Sequence, residues 1–135
     1  MASTFRLEIA TPERPLLDKE VSEAQIPAET GYLGILPDHA PLLAELGNGL
    51  LRYKTGGKEE SLIVHEGFIE VLPDHVRILA TAAESISDID IKRAEAAYER
   101  ASERLTIDVG DVDKARAKRA LKRAESRLSA IKSVH

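Results

Sequence analysis

The sequence predicts an α+β protein with an N-terminal all-β sandwich followed by a C-terminal antiparallel two-helix hairpin. Between residues 5 and 80, short runs of alternating apolar and polar residues are separated by turn residues, which is typical of half-buried strands. From residue 88 onward, apolar residues recur at intervals of three and four, the spacing of one face of an α-helix. We place the domain boundary where the chain becomes small and polar, which gives domains at 1–84 and 85–135.

The first domain is expected to contain about eight to ten short strands, a number that favours a sandwich. Its first strand is indicated by Phe5, Leu7 and Ile9, which alternate with polar or charged residues. Turn residues at 55–58 and 73–74 separate strand-like runs and predict two β-hairpins, whereas Pro27 predicts an edge strand or the end of a strand. The other strand-like runs are residues 16–17, 21–26, 32–36, 42–46, 50–54, 61–64, 68–72 and 75–79.

The second domain reads as two helices joined by the short connection 106–111, so we expect the helices to be antiparallel. Ser87 or Asp88 is predicted to cap the first helix, with Asp90 completing a capping box. The predicted inward-facing residues are Ile91, Ala94, Tyr98, Ala101 and Leu105 in the first helix and Ala117, Leu121, Ala124, Leu128 and Ile131 in the second. Because many of these are alanine, which buries little apolar area, the hairpin should be weakly packed.

The arginines of the hairpin are concentrated rather than interleaved with acids. Arg119, Arg123 and Arg127 are four residues apart, and Arg93, Arg100 and Arg104 are separated by seven and four. Like charges at a spacing of four destabilise a helix by roughly 0.2–0.5 kcal/mol per pair. Residues 111–135 carry 8 Lys/Arg and 3 Asp/Glu, whereas residues 1–87 carry 7 and 14. This asymmetry predicts an anionic partner for the hairpin, either an acidic protein surface, a nucleotide or a nucleic acid.

Several kinds of site are not indicated by the sequence. The chain has no cysteine, and its four histidines show no metal-ligand spacing, so we predict no metal site. No catalytic constellation is recognisable, and we predict that the chain is not an enzyme. There is no signal-peptide pattern and no apolar run of about 20 residues, so we expect a soluble intracellular protein without a membrane span. His65 and His75 are expected at strand ends.

Three separated motifs carry a resemblance to a known family. They are GYLGILPDHAPL at residues 31–42, GFIEVLPDHVRILA at 67–80 and DIDIKRA at 88–94. In this order, and in a chain of this size, they resemble the epsilon subunit of the bacterial F-type ATP synthase over essentially the whole length. The resemblance implies a non-catalytic subunit of the rotor, or central stalk.

The resemblance also implies the partners and location of such a subunit. The sandwich would bind the gamma subunit and the membrane-ring subunits, and a raised hairpin would enter the alpha/beta catalytic head and inhibit ATP hydrolysis. The complex would lie at the cytoplasmic face of the bacterial plasma membrane, with this chain peripheral to it. No nucleic acid is expected as a partner.

In several family members the folded hairpin binds ATP through the pattern I/L-D-x-x-R-A, which residues 89–94 fit. The resemblance implies that Glu84, Ile89, Asp90 and Ala94 lie against the adenine. It further implies that arginines face the phosphates, namely Arg93, Arg100, Arg123 and Arg127, with Arg116 assisting. ATP would then be a regulatory ligand, and the sequence leaves open whether Mg²⁺ accompanies it.

Two positions depart from the family pattern in the predicted partner-contact region. Tyr32 stands where many members have an acidic residue, and Asp38 replaces a common glycine beside His39. We predict that Tyr32 and His39 contact partner subunits. The alternative function is a stand-alone module that binds nucleic acid or protein through its basic helix; an acidic remainder and a helix without aromatic residues argue against nucleic acid.

Overall fold

The computed structural model describes residues 3–106 and 111–134. Within these residues the chain forms eight strands, a short 3-10 turn and two α-helices, which confirms the predicted fold class. Contacts divide the chain into two compact units, Met1–Glu84 and Ser85–His135. Of the predicted connection at residues 106–111, residues 107–110 lie outside the described part of the chain.

The eight strands belong to the first unit and form one continuous hydrogen-bonded arrangement. Their bounds are β1 Phe5–Ala10, β2 Pro15–Val21, β3 Glu23–Ala28, β4 Gly31–Ile35, β5 Leu42–Leu46, β6 Gly49–Thr55, β7 Lys58–Leu72 and β8 His75–Glu84. The strands follow the order β2-β1-β8-β7-β5-β3-β4, and β6 pairs with both β3 and β7. β1 and β8 are parallel, whereas the other pairs are antiparallel.

The core of this unit follows from strand alternation. In β1, for example, Phe5, Leu7 and Ile9 are buried while Arg6 is exposed, as their spacing predicts. The largest buried side chains of the core are Leu7, Ile9, Ile26, Ile35, Leu46, Leu51, Ile63, Ile69 and Ile78. Burial of an aliphatic side chain contributes roughly 1.5–3 kcal/mol each, so this cluster is the main stabilising element of the unit.

Both predicted β-hairpins are present, but β7 is longer than the sequence suggested. The predicted strands 61–64 and 68–72 form one continuous strand that pairs with β8 along most of its length. Glu66 and Gly67 have positive φ values of 34° and 153°, so they form a local irregularity rather than a turn. The irregularity lets the first half of β7 pair with β6 and the second half pair with β5.

Pro27 does not end its strand, since β3 continues to Ala28. The proline is buried, and its carbonyl oxygen accepts a hydrogen bond of 2.9 Å from the backbone N–H of Gly47. The predicted strand end at this position was wrong by one residue, and the alternative of an edge strand was also wrong, because β3 pairs with β4 as well as with β5 and β6.

The second unit contains the turn Ile86–Asp88, α1 at Ile91–Thr106 and α2 at Asp111–Val134. The two helices contact each other, and their short connection makes them antiparallel. Ala94 and Ala101 of α1 and Ala117 and Ala124 of α2 are buried, and we term these four residues the alanine seam. The larger predicted residues are less buried: Ile91 and Tyr98 are 47% and 39% exposed, which contradicts their inward placement.

The N-cap of α1 is Asp90. Its Oδ1 accepts a hydrogen bond of 3.1 Å from the backbone N–H of Arg93, while its carbonyl oxygen accepts one of 3.0 Å from Ala94. Ser87 and Asp88 belong instead to the preceding turn, in which the Ser85 hydroxyl donates to Asp88 over 3.4 Å. The predicted cap at Ser87 or Asp88 was therefore wrong, because this chain closes a separate turn before the helix begins.

Candidate functional site

Six arginines lie on one edge of the hairpin. Successive residues of an α-helix are rotated by about 100°, so a residue's position can be measured from the seam alanines of its own helix. Three arginines of each helix lie about 60–120° from the seam in the same rotational sense. Because the helices are antiparallel, the same sense places both sets on the same edge. This arginine edge consists of Arg93, Arg100 and Arg104 of α1 and Arg116, Arg123 and Arg127 of α2.

The opposite edge of the hairpin has a different charge pattern. Acids and bases are mixed on that edge, which carries Glu95 and Glu99 of α1 and Lys114, Lys118, Lys122, Glu125 and Lys132 of α2. On the arginine edge, by contrast, none of the described residues at these helical angles is an aspartate or glutamate. Positive charge is therefore concentrated along one side of the hairpin and compensated along the other.

The guanidinium groups of this edge are accessible. The arginines of α1 and Arg116 are exposed, whereas Arg123 and Arg127 are half-buried. Among the described residues, no ion pair or side-chain hydrogen bond is formed by the side chains of Arg93, Arg100, Arg116 and Arg123. Each guanidinium has five N–H donors in a planar fork that matches carboxylate and phosphate oxygens. The edge thus presents several donor groups that an anion can bind.

The residues predicted to lie against adenine occupy different environments. Asp90 caps α1 as described, and Ile89, which follows the 3-10 turn, is half-buried. Ala94 is only 3% exposed and belongs to the alanine seam. The structure therefore brings Asp90 and Arg93 together at the start of α1, whereas the side chain of Ala94 is buried.

Glu84 ends β8 and is paired with Ile63 of β7. Its Oε1 lies 3.3 Å from Nε2 of His65, and Nδ1 of His65 lies 3.0 Å from Oδ1 of Asn48. His65 is 1% exposed in the middle of β7, so its predicted place at a strand end was wrong. Sequence reasoning missed this group because Asn48 and Glu84 are 17 and 19 residues from His65, and no short-range pattern links them.

The predicted partner-contact residues are separated in the structure. Tyr32 is near the start of β4 and 56% exposed, with its hydroxyl donating to the carbonyl oxygen of Leu50 over 3.1 Å. His39 follows β4, and its Nδ1 lies 2.7 Å from the carbonyl oxygen of Ala40. Tyr32 is the second residue of β4, whereas His39 lies in the loop four residues after the last residue of the strand, Ile35.

The loop that carries His39 is fixed to a neighbouring turn. The backbone N–H of Asp38 donates to the carbonyl oxygen of Pro73 over 3.1 Å, and Asp38 adopts a φ of 65°. Several exposed apolar side chains flank this junction, namely Leu36, Leu42, Leu43 and Leu72. Clustered exposed apolar residues are a feature of protein interaction surfaces.

Within residues 3–106 and 111–134, no three His, Asp or Glu side chains are grouped in a way that could hold a metal ion. Over the same residues, neither helix has the length and apolar character needed to cross a bilayer.

Comparison with known families covers both units. Residues 4–86 match the family described as ATP synthase, Delta/Epsilon chain, beta-sandwich domain, and residues 87–132 match its long alpha-helix domain. The chain belongs to the ATP synthase delta/epsilon chain family. This finding confirms the resemblance to the epsilon subunit that the three motifs carry.

Curated members of the family are similar to this chain over most of its length. The ATP synthase epsilon chain of Solibacter usitatus is 52% identical over 101 residues, which is 75% of each chain. That of Pelotomaculum thermopropionicum is 47% identical over 102 residues, or 76% of each.

Solved structures share the fold at lower sequence identity. A chain of the mitochondrial ATP synthase of Euglena gracilis has a TM-score of 0.86 at 22% identity, covering 97% of this chain and 83% of its own length. A chain from the Tetrahymena thermophila enzyme has a TM-score of 0.65 at 16% identity, with coverages of 94% and 96%. At these identities the two likenesses establish the fold alone.

Proposed function

We propose that this chain is a non-catalytic rotor subunit of an F-type ATP synthase whose helical hairpin is a regulatory element stabilised by ATP. In this proposal the chain is peripheral to the bacterial plasma membrane, on its cytoplasmic face. The hairpin inhibits ATP hydrolysis when it opens and enters the catalytic head. ATP opposes that inhibition by favouring the folded hairpin.

The observation that carries the proposal is the arginine edge. An edge that joins guanidinium groups from two antiparallel helices, without an acid at the same angles, is suited to a ligand with several negative charges. The phosphates of ATP meet this requirement, and guanidinium–phosphate pairs form charge-assisted, often bidentate hydrogen bonds. A ligand bound to arginines of both helices also reduces the repulsion between them.

The bound nucleotide is expected to lie with its phosphates toward the arginine edge and its base toward the start of α1. Arg93, Arg100, Arg123 and Arg127 bind the phosphates, and Arg116 assists them. The family resemblance assigns four residues to the adenine, namely Glu84, Ile89, Asp90 and Ala94. Because Ala94 is buried in the alanine seam, its expected role is packing. Mg²⁺ can accompany ATP as a phosphate-bound ion without a dedicated protein site.

Regulation follows from the weak packing of the hairpin. The alanine seam buries little apolar area, so the folded hairpin has a small margin of stability. A ligand shifts a conformational equilibrium only through its different affinity for the two states. If the folded hairpin alone assembles both sets of arginines, ATP stabilises it by about 2.7 kcal/mol at a hundredfold excess over Kd. When ATP is lost, the hairpin opens and inhibits ATP hydrolysis.

The sandwich supplies the fixed attachment to the rotor in this proposal. Its candidate contact surface is the junction of the His39 loop with the turn at Pro73, where exposed leucines lie close to the loop. Gamma and the membrane-ring subunits are the proposed partners. Tyr32 is 56% exposed at the other end of β4 and would contact a second partner surface.

Isothermal titration of the 135-residue chain with ATP tests the nucleotide site. Arg123→Ala is expected to weaken ATP binding about tenfold or more, since hydrogen bonds to charged groups contribute roughly 1.5–3 kcal/mol. Lys118→Ala removes a cation from the opposite edge of the same helix and is the matched control. The proposal requires that the control keep wild-type affinity.

Two results would contradict this function. Equal loss of affinity in both variants would show that ATP responds only to net charge, and no binding by the wild type would remove the site. A parallel titration with duplex DNA addresses the alternative module. Tight DNA binding with a steep dependence on salt would favour a nucleic-acid partner over ATP.

A further inference from the structure

The sequence contains a single asparagine, Asn48, and the residue that follows it is Gly49. An asparagine followed by glycine is prone to spontaneous deamidation, because glycine has no side chain to shield its backbone nitrogen. Asn48 lies in the turn between β5 and β6, and Gly49 is the first residue of β6. Asn48 is half-buried and Gly49 is buried, so a chemically labile dipeptide is part of the packed sandwich.

Packing requires a glycine at position 49. A Cβ atom added to Gly49 would lie 2.9 Å from Cβ of Pro27 and 3.2 Å from the hydroxyl oxygen of Tyr32. Pro27 is itself buried, so the crowding could be relieved only by a shift of packed strands. The fold therefore keeps a residue without a side chain directly after the asparagine.

The asparagine also has a packing role. Its Oδ1 lies 3.0 Å from Nδ1 of His65, whose side chain is only 1% exposed. Burying an imidazole is unfavourable unless its nitrogens are hydrogen-bonded. An amide can satisfy Nδ1 in either state, since its oxygen accepts from a protonated nitrogen and its NH₂ group donates to an unprotonated one. An ionised aspartate has only acceptor oxygens, so at position 48 it would satisfy Nδ1 only when that nitrogen carries a proton.

Deamidation at this position would proceed through a cyclic imide. The backbone nitrogen of Gly49 loses its proton and bonds to Cγ of Asn48, the bond from Cγ to Nδ2 breaks, and ammonia leaves with that proton. Water then opens the imide at one of its two carbonyl carbons. One product is aspartate, and the other is isoaspartate, in which an additional methylene group lies in the backbone. The Asn48 amide must first turn away from His65, which breaks their hydrogen bond.

The attacking nitrogen is restrained as well. The N–H of Glu66 donates to the carbonyl oxygen of Gly47 over 3.2 Å. Because hydrogen-bonded pairs alternate along antiparallel strands, the pair two residues further on, Gly49 and Val64, is also hydrogen-bonded. The N–H of Gly49 is therefore engaged in the ladder between β6 and β7, and it must leave that ladder before it can react.

From these contacts we infer that Asn48 is a deamidation site that the folded sandwich holds closed, and that its hydrogen bond with His65 controls how often the site opens. Reaction requires the amide and the start of β6 to be released together. Aspartate places a negative charge beside the buried imidazole, and isoaspartate disturbs the strand register at Gly49. The modification is irreversible without a repair enzyme and weakens the sandwich as the protein ages. This inference does not depend on the proposed ATP site.

Mass spectrometry of the tryptic peptide that contains Asn48 measures deamidation of the full chain during incubation in mildly alkaline buffer. The wild type unfolded in guanidinium chloride provides the unrestrained rate. The folded wild type is expected to react about a hundredfold more slowly, because two hydrogen bonds must break and each can contribute about tenfold. His65→Phe keeps a ring in the buried space but removes one of these bonds, so it should react about tenfold faster than the folded wild type.

Two further variants separate this restraint from general stability. Tyr53→Phe removes the hydroxyl that donates to Glu60 over 2.7 Å, towards the other end of β6, and it should react at the wild-type rate. Tyr32→Phe removes a hydroxyl that donates to the carbonyl oxygen of Leu50 over 3.1 Å, near the start of β6, and it should react severalfold faster. Tyr32 is exposed, so this variant tests the restraint even if His65→Phe does not fold. Circular dichroism establishes which variants are folded.

The outcomes decide the inference in either direction. Faster deamidation of folded His65→Phe than of Tyr53→Phe supports it. Equal rates in the folded and unfolded wild type would show that the fold does not restrain Asn48, and an unfolded chain that does not react would remove the site. A folded His65→Phe that reacts no faster than Tyr53→Phe overturns the role of His65. If His65→Phe is unfolded, the same result for Tyr32→Phe overturns the inference.

Discussion

A Cβ atom added to Gly67 would overlap the carbonyl oxygen of Leu79 on the neighbouring strand. Gly67 also has a φ of +153°, which side-chain-bearing residues rarely adopt. Both features belong to the irregularity that lets β7 pair with β6 on one side of it and with β5 on the other. We therefore expect Gly67→Ala to lower the free energy of unfolding by about 3 kcal/mol or more. Urea denaturation followed by circular dichroism measures this change.

Gly56→Ala is the control for that substitution. Gly56 also has a positive φ, +56°, but nothing lies within 4 Å of its added Cβ. Gly56→Ala should lower the free energy of unfolding only by the cost of placing alanine in a left-handed conformation, about 1–2 kcal/mol. Equal losses in the two variants would mean that strand crowding at Leu79 does not contribute.

The cap of α1 gives a second prediction. Asp90→Ala removes the side-chain acceptor of the Arg93 N–H and should destabilise the start of the hairpin by about 1 kcal/mol. Amide hydrogen exchange of the first turn of α1 would then accelerate about fivefold. Asp90→Ser retains a capping oxygen and should keep near-normal exchange. A similar acceleration in both variants would contradict the capping role.

The general architecture could be predicted from the sequence because it depends on local periodicity. Alternation in β1 and the turn residues at 55–58 and 73–74 are short-range signals, and the strands and hairpins that they predict are present. The continuity of β7 could not be predicted in the same way. Gly67 resembles an ordinary turn residue in sequence, and only pairing with β8 on both sides of it keeps the strand continuous.

The candidate site was predictable to the extent that it depends on helical spacing. Seven- and four-residue intervals place the arginines on one side of each helix, and the antiparallel arrangement then joins the two sets. The exposure of Ile91 and Tyr98 was not predictable, since the alanine seam is narrow and leaves larger side chains at its margins. The His65–Glu84 pair depends on long-range strand register, which a single sequence does not reveal.

The Tyr53–Glu60 hydrogen bond of 2.7 Å gives a pH-dependent prediction. The bond from Tyr53, together with Lys19, holds the pKa of the Glu60 carboxyl below its ordinary value. A lowered folded-state pKa contributes stability above the unfolded pKa, about 4.3 for glutamate, and this contribution is lost as the pH falls through the folded value. Tyr53→Phe should therefore be less stable than the wild type at pH 7, with a smaller difference at about pH 3.

Tyr53 gives a further pH-dependent prediction, in which the stability of the wild type falls as the pH rises into the alkaline range. Burial, followed by the hydrogen bond to Glu60, raises the pKa of Tyr53 well above its ordinary value. Above about pH 10 the unfolded tyrosine ionises while the folded one does not, so the wild type should lose stability as the pH rises. The Tyr53→Phe variant should lose less stability than the wild type over this pH range. Urea midpoints measure both effects, and Tyr98→Phe, which changes a tyrosine that is 39% exposed, is the control.

ATP should stabilise the hairpin selectively if the arginine edge binds its phosphates. At a hundredfold excess over Kd the folded hairpin gains about 2.7 kcal/mol, which corresponds to roughly hundredfold slower amide exchange for protons that exchange through hairpin opening. Amides of α1 and α2 should show this protection, whereas those of the core strand β1 should exchange at their ligand-free rates. Arg123→Ala should lose most of the protection at the same ATP concentration, and Lys118→Ala should retain it. Equal protection of helices and core strands would indicate nonspecific stabilisation, because a ligand that acts through the hairpin slows only the exchange that requires the hairpin to open.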